Sequence, residues 1–303
     1  MSRITNAYSR FMSRLRYQLL MWLSPPEIKV DNNYCHQPVS ERILDLNNHS
    51  ETSIDAHFLW VSGTLSDLEL LSLDSFRFFG YRVILWSYGI ISNAPKYCIC
   101  KNASEIISQE NIFVSNNSYA NFSDLFRYTL LNRYSGIWSD TDVICLSSAA
   151  SIKQLFPDGF FVTEKTNKPG HLQINGNIFY NPNSSLLLQL CEQVSKRLPK
   201  DNLSWCSYGP ALLTALYKLY GSDKHKILPP VFANPIQGPS TPFCLKDMNM
   251  PILSSRTYFL HCYNEHWRRA GSSKNLPFKE SSLLMHLYRK FRHPQTSYST
   301  YLD

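Results

Sequence analysis

Residues 123–146 read SDLFRYTLLNRYSGIWSDTDVICL and leave the chain few ways to fold around them. Ser123 suits a helix N-cap, and Asp124 then falls in the first turn, where a carboxylate complements the helix dipole. Asp124, Arg127, Tyr128 and Leu131 follow at i, i+3, i+4 and i+7, which is one helical face. Ser135-Gly136 is expected to end the helix, because glycine readily takes the left-handed conformation of a C-cap. Ile137, Trp138 and Ser139 then read as a short strand. The helix climbs about 15 Å from Asp124 to Tyr134, at 1.5 Å per residue. The extended chain returns roughly 13 Å from Gly136 to Asp140, at about 3.3 Å per residue. If the strand packs back along the helix, Asp140 and Asp142 come level with Asp124 and Arg127.

These residue types have a definite chemical use. Two carboxylates one residue apart at a strand end suit Mg²⁺ or Mn²⁺, hard cations that prefer oxygen ligands. Such sites typically use one or two protein carboxylates together with substrate phosphates. An Asp and an Arg one helical turn apart suit the hydroxyls of a sugar. Alone, D-x-D more often marks a turn or a solvent-facing pair; the helix in front of it favours an enzyme handling a metal-bound sugar nucleotide.

Elsewhere the pattern is that of an α/β chain. Residues 56–61 and 81–88 read as buried strands around a helix at 67–79, an order that fits a right-handed crossover and a parallel pair. A third short strand is expected at 111–114. Beyond the D-x-D segment, strands are expected at 159–163, 177–180 and 256–262, and helices at 183–198 and 210–220, the second with Pro210 at its start. Residues 229–251 read as a long loop, over the acceptor of any transfer reaction. Ligands of such sheets bind beyond the carboxyl ends of the strands, where Asp140 and Asp142 belong. His261 ends the last strand and offers a neutral imidazole nitrogen as a third metal ligand; a hydrogen-bonded core histidine is the plainer reading. Glu265 and Trp267 follow at i+4 and i+6, in reach of a donor's phosphates or metal. Asn175 and Asn177 flank Gly176, a pattern common in turns.

With 303 residues, 44% of them hydrophobic, the chain can bury a sizeable core. The net charge of +7 favours anionic partners, and much of it sits at the ends. Residues 1–26 interleave four arginines with apolar residues before Pro25-Pro26, and 286–293 read HLYRKFRH. A basic amphipathic helix can lie on a membrane surface; for the N-terminal segment the alternative is a helix packed on the domain. Nucleic acid is not expected, for want of a binding motif. Near the start the longest apolar run, Leu19 to Leu23, is far short of the roughly 20 residues of a spanning helix, and no signal-peptide cleavage pattern follows. The eight cysteines are scattered, without a secreted disulfide framework. These features together suggest a cytoplasmic protein, peripheral on the inner face of the cytoplasmic membrane.

The segment around Asp140 resembles the DXD region of glycosyltransferase family 32 and of the related catalytic domains of bacterial glucosylating toxins. Those proteins pair an S-D-x-x-R helix with a glycine turn, an aromatic residue and D-x-D. Upstream, residues 57–63 read HFLWVSG and resemble the families' first strand, whose Trp stacks on the uracil of the donor. Downstream, the blocks NGN (175–177), YGPALLT (208–214) and HCYNEHW (261–267) are similar to later family segments. The likeness runs in order from about residue 56 to 268. The turn carries Ser135-Gly136 where the family usually has two glycines, and Trp138 stands where Tyr is common.

The resemblance implies a GT-A-like (Rossmann-like, nucleotide-sugar-binding) single α/β domain with additional helices over 27–303, preceded by the basic segment 1–26. It implies a metal-dependent, retaining hexosyltransferase that takes a UDP-sugar with Mn²⁺ or Mg²⁺. Trp60 would stack on the base, and Asp124 and Arg127 would hold the sugar hydroxyls. Asp140 would bridge the sugar or ribose and the metal, with Asp142 and His261 as further metal ligands. Tyr128 and Trp267 complete the donor-contacting set. The expected acceptor is a lipid-linked glycan of bacterial surface polysaccharide assembly (O-antigen, capsule or lipopolysaccharide). The alternatives are a toxin-like transferase acting on a protein and a non-catalytic sugar-nucleotide-binding module.

Overall fold

A computed structural model describes residues 28–34, 53–198, 207–222, 224–247 and 253–292, with Lys200 and Leu203. The basic segment 1–26 lies outside the described residues. The strands are β1 (Asp55–Leu59), β2 (Arg82–Ser87), β3 (Ile99–Asn102), β4 (Gly136–Ser139), β5 (Val143–Cys145), β6 (Phe160–Lys165), β7 (Leu172–Asn181), β8 (Lys226–Leu228) and β9 (Phe259–His261). The helices are α1 (Asp67–Phe78), α2 (Ala120–Leu131), α3 (Ala149–Leu155), α4 (Leu186–Arg197), α5 (Pro210–Tyr220), α6 (Thr241–Lys246), α7 (Asn264–Arg269) and α8 (Leu283–Arg292).

Seven strands form one sheet in the order β3-β2-β1-β4-β7-β6-β8, and only β7 runs against the others. The architecture is the expected α/β one: a mostly parallel, Rossmann-like sheet with helices on both faces. The central strands are apolar on both sides, as covered parallel strands must be. Their side chains alternate between two cores. Phe58, Val83, Leu85 and Ile137 join the layer under α1, α3 and α8. Ile84, Trp86 and Trp138 join the layer under α2, α4 and α5. Strands β1 and β4 are parallel neighbours, so Trp60 and Asp140, each one residue past its strand, emerge at the same edge.

A separate two-stranded ribbon pairs β5 with β9, antiparallel, with Val143 opposite His261. The Cys262 N–H donates to the Asp142 carbonyl oxygen at 2.8 Å and extends the pairing one step beyond the ribbon.

Several expectations are corrected. The third strand is β3; residue 111 closes a 3₁₀ turn instead, and 112–114 are irregular. Helix α2 begins at Ala120, three residues before Ser123. Ser118 Oγ accepts the Ala120 N–H at 3.2 Å, and the Asn121 amide reaches Ser115 Oγ at 2.8 Å, so side chains upstream of Ser123 anchor the start. Asp124 is therefore one turn inside the helix, away from the first-turn dipole position. The helix ends at Leu131, and Gly136 is the first residue of β4. Residues 175–177 lie within β7, not in a turn. Residues 229–251 contain two 3₁₀ turns and α6 as well as loop. The basic C-terminal segment forms α8, which buries Leu283, Leu284, Leu287 and Phe291; Phe291 packs 4.9 Å from Phe78, ring centre to ring centre. Its apolar face is thus spent on α1 and α6. Among the described residues no helix is long and apolar enough to cross a membrane.

Gly136 is required by close approach. Its φ is +137°, and a Cβ there would run into the Asp55 carbonyl oxygen on β1. At Gly80, φ is +82° but a Cβ would meet nothing. Gly136→Ala is expected to cost about 3 kcal/mol or more, and Gly80→Ala about 1 kcal/mol, where only the backbone term applies. Urea denaturation of the two variants checks the difference; equal losses would contradict it.

Candidate active site

The return of β4 along α2 brings three charged side chains together. Arg127 Nη2 lies 3.3 Å from Asp124 Oδ1 and 3.0 Å from Asp140 Oδ1. Its Nη1 donates to the Gly176 carbonyl, and its guanidinium sits 5.0 Å over the Trp138 ring. Trp138 in turn donates its Nε1–H to Asp140 Oδ1 at 2.9 Å, and the Asp140 N–H donates to the Asn177 carbonyl at 2.8 Å. Trp138 is a floor under the charged group, which fixes both Arg127 and Asp140. The Asp140 side chain is 28% exposed against 6–7% for Arg127 and Asp124, so Asp140 is where the cluster opens to solvent.

Two glycines make room for this cluster. A Cβ at Gly176 would lie 2.6 Å from Arg127 Nη1, and one at Gly209 would lie 2.6 Å from Asp124 Oδ2. The pairing of β7 with β6 jumps at this point: Phe161 faces Phe179, yet Val162 faces Asn175, so residues 176–178 have no β6 partner. This bulge turns the Gly176 carbonyl to Arg127.

The β5–β9 ribbon builds a group that could hold a metal ion. His261 Nε2 is 3.6 Å from Asp142 Oδ2, which also accepts the Asn264 N–H at 2.5 Å. Tyr263, in the left-handed region at φ 54°, turns the chain between them and lays its ring 3.8 Å from that of His261. Its hydroxyl donates to Glu164 at 3.0 Å. Asn234 sets the imidazole. Its Nδ2 donates to the Thr163 carbonyl at 3.0 Å, and its Oδ1 accepts from Asn177 Nδ2 at 3.0 Å and faces His261 Nδ1 at 3.1 Å. That Nδ1 must carry a proton, so in the neutral ring the lone pair sits on Nε2, beside Asp142.

Asp140, Asp142 and His261 each offer one ligand atom, all within 4.8 Å of one another. An octahedral Mg²⁺ or Mn²⁺ at about 2.1 Å from its ligands needs a slightly tighter set, within side-chain adjustment. Two carboxylates and one imidazole with an ordered outer partner fit such an ion, with coordination left over for phosphate oxygens.

Burial pushes the Asp124 carboxyl up to about 7; Arg127 opposes this and Asp140 adds to it. Burial also raises Asp140, against the pull of Arg127 and with a push from Asp142. For Asp142 burial again favours the neutral form, but His261 and the Asn264 N–H outweigh it and hold the carboxyl below its usual range. Burial opposes the His261 cation, yet the Asp142 carboxylate wins and raises the imidazole.

Trp60 stands half-buried at the same edge, and its Nε1 has no partner among the described residues. Tyr128 and Trp267 are fully enclosed: the Tyr128 hydroxyl donates to the Tyr208 carbonyl at 2.9 Å, and Trp267 Nε1 to the Cys262 carbonyl at 2.8 Å. Glu265 pairs with Arg268 and Arg269 on the surface side of α7. The sequence reading missed Asn234, the structural use of Gly209, and the role of Trp138 beneath Arg127. Of these only Gly209 carried a signal, beside Pro210 at a helix start.

Residues 32–157 match the family described as "Glycosyltransferase sugar-binding region containing DXD motif". Among solved structures, the chain is similar to a PaToxG glycosyltransferase at 17% identity, over 72% of this chain and 80% of that one, with a TM-score of 0.40. It is similar to an active-site mutant of LgtC at 11% identity, over 74% of this chain and 98% of that one, with a TM-score of 0.38. No curated protein matches the chain.

The Asp124 environment has a consequence for stability. Its carboxyl ionises near 3.8 when unfolded and near 7 when folded. The folded form therefore holds the proton more tightly, and wild-type stability from this group is full below pH 3.8 and falls until about pH 7, at about 1.4 kcal/mol per unit. Asp124→Asn lacks this loss. Its urea-measured stability relative to wild type is expected to improve by a few kcal/mol between pH 4 and pH 8. A difference independent of pH would contradict the burial argument.

Proposed function

We propose that this protein, whose residues 32–157 match a DXD-containing glycosyltransferase sugar-binding region, transfers a hexosyl unit from a UDP-sugar to a glycan acceptor with retention of anomeric configuration. The observation that carries the donor reading is the Arg127 cluster. One buried guanidinium holds Asp124 and Asp140 side by side, with Asp140 facing out beside Asp142 and His261. A sugar diphosphate presents hydroxyls and phosphate oxygens, the groups that carboxylates, a guanidinium and a divalent cation bind.

In this reading Trp60, half-buried at the strand edge, takes the base on a face of its ring. Asp124 accepts hydrogen bonds from sugar hydroxyls, and Arg127 donates to the sugar while keeping Asp140 in place. Asp140, Asp142 and His261 hold a Mn²⁺ or Mg²⁺ ion. When bound, the ion supplies positive charge for the diphosphate that leaves as the glycosidic bond to the donor breaks. The positioned Arg127 adds a fixed cation to the same end of the sugar. The surrounding burial excludes water, which strengthens each of these contacts.

The net charge of +7 suits an acceptor that carries phosphate, and we take this to be a lipid-linked glycan of surface polysaccharide assembly. A peripheral position on the cytoplasmic face of the membrane belongs to this reading.

The test is a screen of UDP- and GDP-sugars for Mn²⁺-dependent hydrolysis, comparing wild type with Asp142→Asn. Turnover of one or two UDP-sugars is expected, with at least a 100-fold loss in the variant. Equal rates would remove the metal assignment, and no turnover of any sugar nucleotide would remove the donor assignment. Incubation of the active donor with diphosphate-linked lipid glycans or with cell-lysate protein then separates the acceptors; label in protein alone would overturn the glycan.

Metal affinity should depend on pH. His261 must lose its Nε2 proton to ligate, and Asp142 holds that proton on above the usual imidazole range. Mn²⁺ binding measured by calorimetry is expected to strengthen as pH rises past 7, and Asn234→Ala to weaken it about 10-fold or more. Affinity flat from pH 6 to pH 9 would exclude the imidazole from the ligand set.

A further inference from the structure

Glu69 is a fully buried carboxylate at the third position of α1, away from the Arg127 cluster. Its Oε2 accepts the Ser66 N–H at 2.8 Å and also the Ser66 hydroxyl, the return half of a capping box. A cap needs no more than this one oxygen, and no charge. The other oxygen, Oε1, is occupied by two groups from the far end of the chain: Asn264 Nδ2 at 2.9 Å and Lys274 Nζ at 2.6 Å.

Each of those groups leads to a different part of the donor site. Lys274 Nζ lies 5.6 Å from the centre of the Trp60 ring. Asn264 donates its backbone N–H to Asp142. One carboxylate thus fixes the cation beside the base platform and the residue that holds a metal ligand. The main chain around Lys274 is tied down without Glu69. The Leu68 N–H reaches the Lys274 carbonyl at 3.2 Å, and Asp67 and the Asn275–Leu276 segment exchange hydrogen bonds at 3.1 and 2.9 Å. What Glu69 alone determines is where the two side chains point. The Lys274 side chain is 27% exposed, so without a carboxylate to hold it the ammonium can swing into water.

We infer that Glu69 is a positioning residue of the donor site, holding Lys274 at Trp60 for the nucleotide and Asn264 at Asp142 for the metal. The inference rests on the reading of Trp60 as base platform and Asp142 as metal ligand. It separates two jobs of one side chain: Gln serves the cap as well as Glu does, but cannot hold the ammonium by charge.

The test is Glu69→Gln in the full chain, with UDP and Mn²⁺ each titrated alone by calorimetry. About 10-fold weaker UDP and about 5- to 10-fold weaker Mn²⁺ are expected, with the melting temperature within about 3 °C of wild type. In the ligand-free protein, acylation of Lys274 followed by mass spectrometry is expected to speed up several-fold. If Glu69→Gln melts early, Asn264→Ala carries the metal arm, with weaker Mn²⁺ and unchanged UDP. Wild-type affinities and acylation rate in Glu69→Gln, or wild-type Mn²⁺ affinity in Asn264→Ala, would overturn the inference alone. A wild type that binds neither UDP nor Mn²⁺ would overturn the donor reading, and the inference with it.

Discussion

The buried guanidinium of Arg127 is the interaction around which the rest of the site is arranged. Removing a cation from water is expensive, and its neighbours must return that energy through charge and hydrogen bonds. Asp124 and Asp140 supply the charge, the Gly176 carbonyl and the Ser123 carbonyl supply acceptors, and Trp138 supplies a ring face. Each of these demands constrains a different element. Helix α2 must keep Asp124 and Arg127 on one face, and β4 must return along it. Strand β7 must bulge, and both Gly176 and Gly209 must lack a side chain. Two ionised carboxylates this close inside a protein repel, and the guanidinium between them offsets that repulsion. Even with it, Asp124 ionises only near neutrality.

The proposed metal end depends on a different device, strand pairing across a long stretch of chain. Asp142 immediately precedes β5 and His261 ends β9, and antiparallel pairing brings them together at one end of the ribbon. The pair is then oriented from behind: Asn234 fixes the ring, Asn264 fixes the carboxylate, and Asn177 joins Asn234 to the strand that also supports Asp140. The two ends meet at Asp140, which accepts from Arg127 and Trp138 on Oδ1 and lies open to solvent elsewhere.

The fold-back of β4 on α2 could be read from the letters because it is arithmetic on two rises per residue, although the helix stops earlier, at Leu131, and the turn is correspondingly longer. The sheet's central strands could be read for a similar reason, as short apolar runs bounded by breakers. Local competition hid the rest. Ser123 has the chemistry of an N-cap, yet Ser115, Ser118 and Asn121 anchor the helix earlier, and nothing in the spacing ranks one hydroxyl above another. Asn175-Gly176-Asn177 has turn chemistry, but neighbouring strands draw it into a bulged β7. Gly136 reads as a helix terminator and instead prevents a collision with β1. Asn234 has no local signature, since its task is to join Thr163, Asn177 and His261, which meet only in the folded chain.

The central claim is that a divalent cation and a nucleoside diphosphate meet at Asp140, held from one side by Arg127 and from the other by the Asp142–His261 pair. Crystals grown with Mn²⁺ and UDP test it most directly, through the anomalous scattering of manganese. The account predicts one strong peak within ligand distance of Asp140, Asp142 and His261, bridged to the diphosphate, with the uracil against Trp60. A manganese peak bound elsewhere, or UDP seated away from the Trp60–Asp140 edge, would contradict it.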